Sequence, residues 1–220
     1  MLQQNDELVL HIREDQKITL EFKEDGVVRT KVVSVDTMTN CFKDSIKGIS
    51  ISTGLLPEKA LSFRSVIEGG KKYVTLEFPE DKARIVYEGT EYLNFPIPRI
   101  VFGFSIDKNG RILSVNLGVP ALGRFNPDTP MYKYPFSNVN GFGLCTGGNE
   151  LPTITSLHQL VGVMYYIISM PDNDDFYRTE NNLLNLGHRD LLEHLKDKDR
   201  QYYYDNILVP MDNKALKDFL

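Results

Sequence analysis

Cysteine is scarce in this chain: its 220 residues include only Cys41 and Cys145. The two lie far apart and no Cys-x-x-Cys is present, so the usual zinc-binding patterns are excluded. The polar N-terminus has no signal-like apolar segment, and we therefore expect a cytoplasmic protein whose thiols stay reduced. The sequence predicts no metal and no cofactor.

Long apolar runs and an excess of basic residues are also missing. The longest apolar run, Leu160–Met170, has 11 residues, whereas a membrane-spanning helix needs about 20. The net charge at pH 7 is -5, which is unusual for a dedicated nucleic-acid-binding domain. We expect neither a membrane nor a nucleic acid among the partners.

Most motifs of known chemistry are absent or incomplete. The histidines lack metalloprotease spacing, and the glycines lack the lysine of a phosphate-binding loop. Gly143-x-Cys145-x-Gly147 matches a nucleophile elbow, but that elbow needs a strand directly before it and a helix directly after it. The acidic run at residues 172–175 lacks the glycine and final glutamate of a calcium loop, and we interpret it as a solvated linker.

The chain order predicts an α+β fold: an antiparallel β-meander, a long active-site loop, then C-terminal helices. Charged turns separate the first strands, and we expect a hairpin at Pro79–Lys82 and another at Asn109-Gly110. The predicted strands are Glu7–Ile12, Lys17–Phe22, Val27–Val35, Tyr73–Phe78, Arg84–Glu88, Arg99–Ile106 and Arg111–Asn116.

The last part of the chain is predicted to be helical. Apolar residues from Leu157 to Ile168 recur at helical spacing, and Thr153 or Thr155 can cap a helix that Pro171 stops. A second helix is predicted over Asn182–Lys198 and a short one from Asp212. Between strands and helices, Leu117–Pro152 has no periodicity, and its aromatic residues favour an ordered loop.

The most informative part of this loop places Cys145 among glycines, seven residues after Asn138. A cysteine in such a loop is either an exposed nucleophile or a small buried side chain. Asn138 is either a donor to an oxyanion or a turn residue that bonds its own backbone. His158 is the histidine for which a base role is conceivable, although a surface position fits it better.

The same residues resemble a known family. The landmarks resemble those of prokaryotic relatives of ubiquitin-conjugating enzymes, in particular the branch that contains the PRTRC-system protein B. The resemblance spans about residues 55–180, and Phe136 stands where eukaryotic members have a histidine. The landmarks are Leu55–Leu61, Phe95–Phe102, Thr129–Val139, Gly143–Gly147, Pro152 and Phe176-Tyr177.

The resemblance implies a thioester carrier. Cys145 would accept a ubiquitin-like protein from a ThiF-type activating enzyme, and Asn138 would stabilise the oxyanion or hold the loop during transfer. It also implies a ubiquitin-conjugating-enzyme-like domain over residues 51–220, on which a β-rich extension, residues 1–50, packs.

Relatives occur beside JAB-type peptidases, and plasmid-borne or antiviral systems of bacteria are settings by analogy. Two alternatives stay open: a non-catalytic adaptor of the same fold, and a cysteine hydrolase with His158 as its base.

Overall fold

The structure, a computed structural model, describes residues 8–12, 17–24, 26–46, 54–66 and 68–220. These residues form mostly antiparallel sheets and four helices, which confirms the α+β class. The chain divides into two compact units, Met1–Gly54 and Leu55–Leu220. The boundary expected between residues 50 and 51 lies outside the described residues and stays a prediction.

The first unit is a three-stranded antiparallel sheet followed by a helix that the sequence did not predict. Its elements are β1 (Leu8–Ile12), β2 (Ile18–Glu24), β3 (Val27–Val33) and α1 (Val35–Ile46). The third strand was expected to reach Val35. It ends earlier because Ser34 caps the helix: its hydroxyl accepts the Thr37 N–H at 3.1 Å, as residues at helix N-termini do.

The second unit contains two sheets. In chain order its strands are β4 (Ala60–Ser65), β5 (Lys72–Glu77), β6 (Lys82–Tyr87), β7 (Thr90–Pro96), β8 (Val101–Ile106), β9 (Ile112–Pro120), β10 (Pro130–Tyr132), β11 (Val139–Asn140), β12 (Gly143–Leu144), β13 (Pro171–Asp172) and β14 (Pro210–Ala215). The main sheet runs β11–β12–β9–β8–β5–β4, with β10 between β9 and β14. The smaller sheet has the order β13–β6–β7, and β13 lies parallel to β6.

Of the two expected hairpins, one is confirmed and one is wrong. Asn109-Gly110 lies in the turn that joins β8 to β9. Pro79–Lys82 makes no hairpin, because β5 pairs with β4 and β8 while β6 pairs with β7. Phe78 explains the difference: it is 2% exposed, and its N–H donates to the Ile100 carbonyl at 2.9 Å. The chain therefore enters the core and crosses to the second sheet.

Three helices follow: α2 (Gln159–Ile168), α3 (His188–Leu195) and α4 (Arg200–Asn206). The first is confirmed, although it begins later than Thr153 or Thr155. The helix expected from Asn182 begins only at His188, because the Asn182 side chain accepts the Leu186 N–H at 3.0 Å and stabilises a turn. The short helix expected from Asp212 does not begin there, since β14 extends to Ala215; only a single 3-10 turn, Leu216–Asp218, follows it.

One large apolar core joins both sheets to the three helices of this unit, and the segment before Cys145 is part of it. Phe136 is 2% exposed and Val139 5%. The predicted loop is therefore ordered, although β9 and three short strands extend into it. Among the described residues, no helix is both long and apolar enough to cross a membrane.

Candidate functional site

A short hairpin brings Cys145 and Asn138 together. In β11 and β12, Val139 pairs with Leu144 and Asn140 with Gly143. One step further from the turn, the Cys145 N–H donates to the Asn138 carbonyl at 2.8 Å. Two residues that lie seven apart in sequence are thus in direct backbone contact. Cys145 is half-buried, and its thiol forms no disulfide.

Asn138 holds an unusual backbone conformation. Its φ is 63°, in the left-handed region, where asparagine is among the better tolerated side chains. Its N–H donates to the Asp175 carbonyl at 2.7 Å. Asn138 therefore connects two parts of the chain: its carbonyl binds Cys145, and its N–H binds the segment that follows α2.

The side chain of Asn138 is also engaged. Its amide nitrogen lies 3.0 Å from Asp172 Oδ1 and 3.2 Å from Ser137 Oγ, and the Ser137 hydroxyl donates to the same carboxylate oxygen at 3.2 Å. The amide nitrogen of Asn138 is therefore engaged within its own site, by Asp172 and by Ser137. This arrangement favours the loop-holding role of Asn138 over the oxyanion role.

Asp172 is the member of this site that the sequence did not identify. The expectation of a solvated linker is wrong for Asp172. Asp174 is exposed as expected, with 62% of its side chain accessible, although it accepts a hydrogen bond from the Tyr87 hydroxyl and contacts His188. Parallel pairing of β13 with β6 carries Asp172 into the site. Its place four residues after the end of the apolar helix α2 is a local signal of this position.

The carboxyl of Asp172 has an altered acidity. Burial raises its pKa to about 6, although the hydrogen bonds from Ser137 and Asn138 lower it. Burial makes the charged form costly because it removes the carboxylate from water. Asp172 is therefore a stronger base than an ordinary aspartate and titrates close to neutral pH.

Cys145, Asn138 and Asp172 line one small cavity. Its volume is about 30 Å³, close to the share of one water molecule in the liquid. Tyr134 also lines it, and burial together with the charge of Asp172 raises the pKa of that phenol. The other lining residues are Ile85, Leu117, Ser137, Leu144, Ile167, Ile168 and Met170.

Phe136, at the position where the resemblance would place a histidine, is a core residue. Its ring meets Phe95 at 6.1 Å, Tyr134 at 5.4 Å and Tyr203 at 6.2 Å between centroids, each edge to face. Aromatic pairs of this geometry stabilise a core beyond the area that they bury. A histidine here would bury polar atoms among apolar rings.

The histidines of the second unit make their polar contacts elsewhere. His158 is exposed, as expected, and its Nε2 lies 3.0 Å from the Leu55 carbonyl oxygen. Nδ1 of the buried His188 lies 3.1 Å from Asp174 Oδ1, and burial lowers its pKa. His194 contacts the Tyr202 hydroxyl at 2.9 Å. No histidine is among the described residues that line the cavity of Cys145.

The nucleophile elbow is also absent around Cys145 in the described structure. Only the two-residue strand β12 precedes the cysteine, and α2 begins at Gln159, well after it. The Gln159 side chain reaches back and accepts the Thr155 N–H at 2.7 Å, so the expected threonine cap is wrong. The helix therefore does not start next to the thiol.

Comparisons with known proteins add no identification: no protein-family model, no curated protein and no solved structure matches the chain. The family resemblance consequently depends on the residues themselves.

Proposed function

We propose that this protein is a conjugating-enzyme-like carrier with a ubiquitin-conjugating-enzyme-like fold. Cys145 accepts a ubiquitin-like protein as a thioester from a ThiF-type activating enzyme and passes it to an acceptor amine or hydroxyl. The observation that supports this best is the hydrogen bond from the Cys145 N–H to the Asn138 carbonyl. The two residues that the resemblance pairs are neighbours in space, on a hairpin anchored in the core.

The chemistry needs one nucleophile and one proton acceptor. In loading, the Cys145 sulfur attacks the carbonyl carbon of the incoming thioester, the old C–S bond breaks, and the departing thiol takes the proton that Cys145 loses. In discharge, an amine attacks the same carbon, a C–N bond forms, and the Cys145 sulfur leaves. The proton of the amine passes to Asp172 and then to the sulfur. A pKa of about 6 leaves Asp172 ionised and basic at neutral pH.

The test is reconstitution with ATP, a ThiF-type activating enzyme and a ubiquitin-like protein. We expect an adduct that reductant cleaves, and with Cys145→Ser an adduct that resists reductant but yields to base. Cys41→Ala is the matched control and keeps full loading. Formation of the same adduct by Cys145→Ala would contradict the proposal. A JAB-type peptidase, if it belongs to the same pathway, would remove the ubiquitin-like protein from the final acceptor.

A specific observation also favours the second candidate, a non-catalytic adaptor. The Asn138 amide nitrogen is engaged by Ser137 and Asp172, and the cavity beside the thiol is small, so the site resembles a closed packing arrangement. An adaptor binds the activating enzyme or the ubiquitin-like protein equally well after Cys145→Ala, and it never forms the adduct. The hydrolase interpretation has no such support, because no histidine is among the described residues lining the cavity.

A further inference from the structure

His188 is a buried histidine that the proposed chemistry leaves unused. It is the first residue of α3, and only 1% of its side chain is exposed. Its Nδ1 lies 3.1 Å from Asp174 Oδ1, whereas its Nε2 is buried without a hydrogen-bond partner in the described part of the chain. Burying a ring nitrogen in this way costs free energy, so the residue at this position needs a physical reason.

The contact with Asp174 decides which ring nitrogen carries the proton. A carboxylate only accepts hydrogen bonds, so Nδ1 of His188 donates to Asp174. Burial lowers the pKa of the ring, although Asp174 raises it, and the imidazole is therefore neutral at pH 7. The Tyr87 hydroxyl of β6 donates to the same carboxylate oxygen at 2.9 Å. Donors from a strand and from a helix thus hold one side chain.

The ring of His188 is packed against two tyrosines. Tyr177 stacks on it at 4.5 Å between ring centroids, with 9° between the planes, and Tyr87 meets it at 4.3 Å. The Tyr177 hydroxyl donates to the Leu186 carbonyl at 2.6 Å, which fixes that ring in turn. The imidazole therefore has little freedom to rotate, and its Nδ1 is held against Asp174.

Asp174 belongs to the short segment that holds Asn138. On one side of it, Asp172 Oδ1 accepts the Asn138 side-chain amide at 3.0 Å. On the other side, the Asp175 carbonyl accepts the Asn138 N–H at 2.7 Å. The Asn138 carbonyl in turn accepts the N–H of the candidate nucleophile. A displacement of Asp174 would therefore reach Asn138 from two sides.

This segment needs contacts from outside to keep its conformation. Phe176, which follows it, has a φ of 58°, in the left-handed region that a bulky side chain adopts only with strain. Such a conformation persists where the surrounding structure holds it. The Tyr177 N–H donates to the Asp174 carbonyl at 3.0 Å across this turn, and His188 fixes the side chain of the same aspartate.

We propose that His188 is a positioning residue for Cys145. Its Nδ1–H fixes Asp174, and with it the two neighbouring residues that bind Asn138. His188 is not among the described residues that line the cavity of Cys145, so it acts through Asp174. The importance of this arrangement for conjugation rests on the proposed function, whereas the positioning itself does not.

Two variants separate the hydrogen bond of His188 from the packing of its ring. His188→Phe keeps an aromatic ring between the two tyrosines but has no donor. His188→Asn lacks the ring but carries an N–H donor on the same side-chain atom, Cγ. Both are made in the full chain with Cys41→Ala, so that Cys145 is its only thiol. Positioning predicts that the Asn variant resembles the wild type and the Phe variant does not; a role in packing alone predicts the reverse.

The first measurement is hydrogen exchange at the Cys145 amide, with the Phe104 amide in the middle of the main sheet as the internal reference. His188→Phe should speed exchange at Cys145 roughly tenfold relative to Phe104, because a hydrogen bond to a charged group is lost. His188→Asn should change this ratio far less. An equal acceleration at both amides is a general loss of stability and overturns the proposal, as does an unchanged ratio in His188→Phe.

The second measurement is the rate at which iodoacetamide alkylates Cys145. His188→Phe should raise this rate, because the half-buried thiol becomes more accessible when its segment loosens, and His188→Asn should leave it near that of the wild type. In an Asp174→Ala background His188→Phe should no longer raise the rate, since the hydrogen bond that it removes is already missing. An effect that persists without the Asp174 carboxylate contradicts the proposal.

The matched control is His194→Phe, the same change at another histidine of α3. The polar contact of His194 is with the Tyr202 hydroxyl, so this variant should leave both readouts for Cys145 unchanged. None of these measurements needs thioester chemistry. Positioning without loading therefore refutes the carrier alone, and loading without the His188 effect refutes the positioning alone.

Discussion

The chain on the two sides of Cys145 differs in how it is held. In the segment before it, Pro135–Leu144, most of the first five residues are buried, and Asn138 bonds through its N–H, its carbonyl and its amide. In the segment after it, Thr146–Thr153, most residues are exposed, and among them are two glycines. The cysteine is therefore positioned from one side, while the segment on its other side is mostly exposed. We call these the held segment and the open segment.

The largest effect is expected from removing the anchor of the held segment. Phe136→Ala should lower the free energy of unfolding by about 3–5 kcal/mol, because a fully packed aromatic side chain leaves a cavity. Urea denaturation measures it. The matched control is Tyr166→Ala, an aromatic residue that is 43% exposed, with an expected change within about 1 kcal/mol. Similar losses in both variants would show that the held segment is not anchored by this ring.

The second effect concerns Asn138, where backbone and side chain contribute separately. Asn138→Ala should cost about 2–3 kcal/mol of unfolding free energy, because alanine disfavours a positive φ and Asp172 loses a charged hydrogen bond. Asn138→Gly keeps the backbone conformation at no steric cost. It should therefore lose about 1 kcal/mol less. Equal losses in urea denaturation would mean that the left-handed backbone of Asn138 contributes nothing.

The third effect depends on pH and belongs to Asp172. Its folded pKa of about 6 lies above the ordinary value of 3.8, so between these values the folded chain binds more protons than the unfolded one. The contribution of Asp172 to stability is thus least favourable above pH 6 and improves as the pH falls towards 4. Asp172→Asn, which retains an acceptor oxygen, should stabilise the chain at pH 8 by about 1 kcal/mol.

Thermal unfolding of wild type and Asp172→Asn across pH 4–8 checks this. The difference between them should shrink as the pH falls through about 6. A difference that stays constant with pH would show that Asp172 is not buried as a charge. The control is Asp205→Asn, a variant of an exposed aspartate on α4. Its difference in stability from wild type should not change in this way with pH.

The fold was predictable from sequence where its causes are local. The spacing of apolar residues along Leu160–Ile168 predicts α2, and the Asn109-Gly110 pair predicts the turn between β8 and β9. Errors arose where particular side-chain and backbone contacts override the local pattern. The chain leaves the main sheet at Phe78, whose N–H donates to the distant Ile100 carbonyl. The helix expected from Asn182 is delayed by a local turn, in which the Asn182 side chain accepts the Leu186 N–H.

In the candidate site, too, some residues could be predicted from local sequence and others could not. Cys145 and Asn138 could be named from sequence because they belong to one hairpin. Asp172 follows 27 residues after the cysteine and reaches the site through parallel pairing with β6, which no local pattern reveals. The burial of Phe136 likewise comes from rings contributed by distant strands and helices.

The smallest expected change in the free energy of unfolding is in the open segment. It tests directly whether the open and the held segments differ. Gly147 and Gly148 are both exposed, and a Cβ at either would meet nothing within 4 Å, but only Gly147 has a positive φ, of 56°. Gly148→Ala should therefore raise the free energy of unfolding by about 0.4–1 kcal/mol, because it restricts the unfolded chain alone. Gly147→Ala should lower it by a similar or larger amount, since alanine opposes that backbone conformation. Urea denaturation of the pair separates the two cases. A loss in both would mean that the open segment is packed as tightly as the held one, and the thiol would then be fixed from both sides.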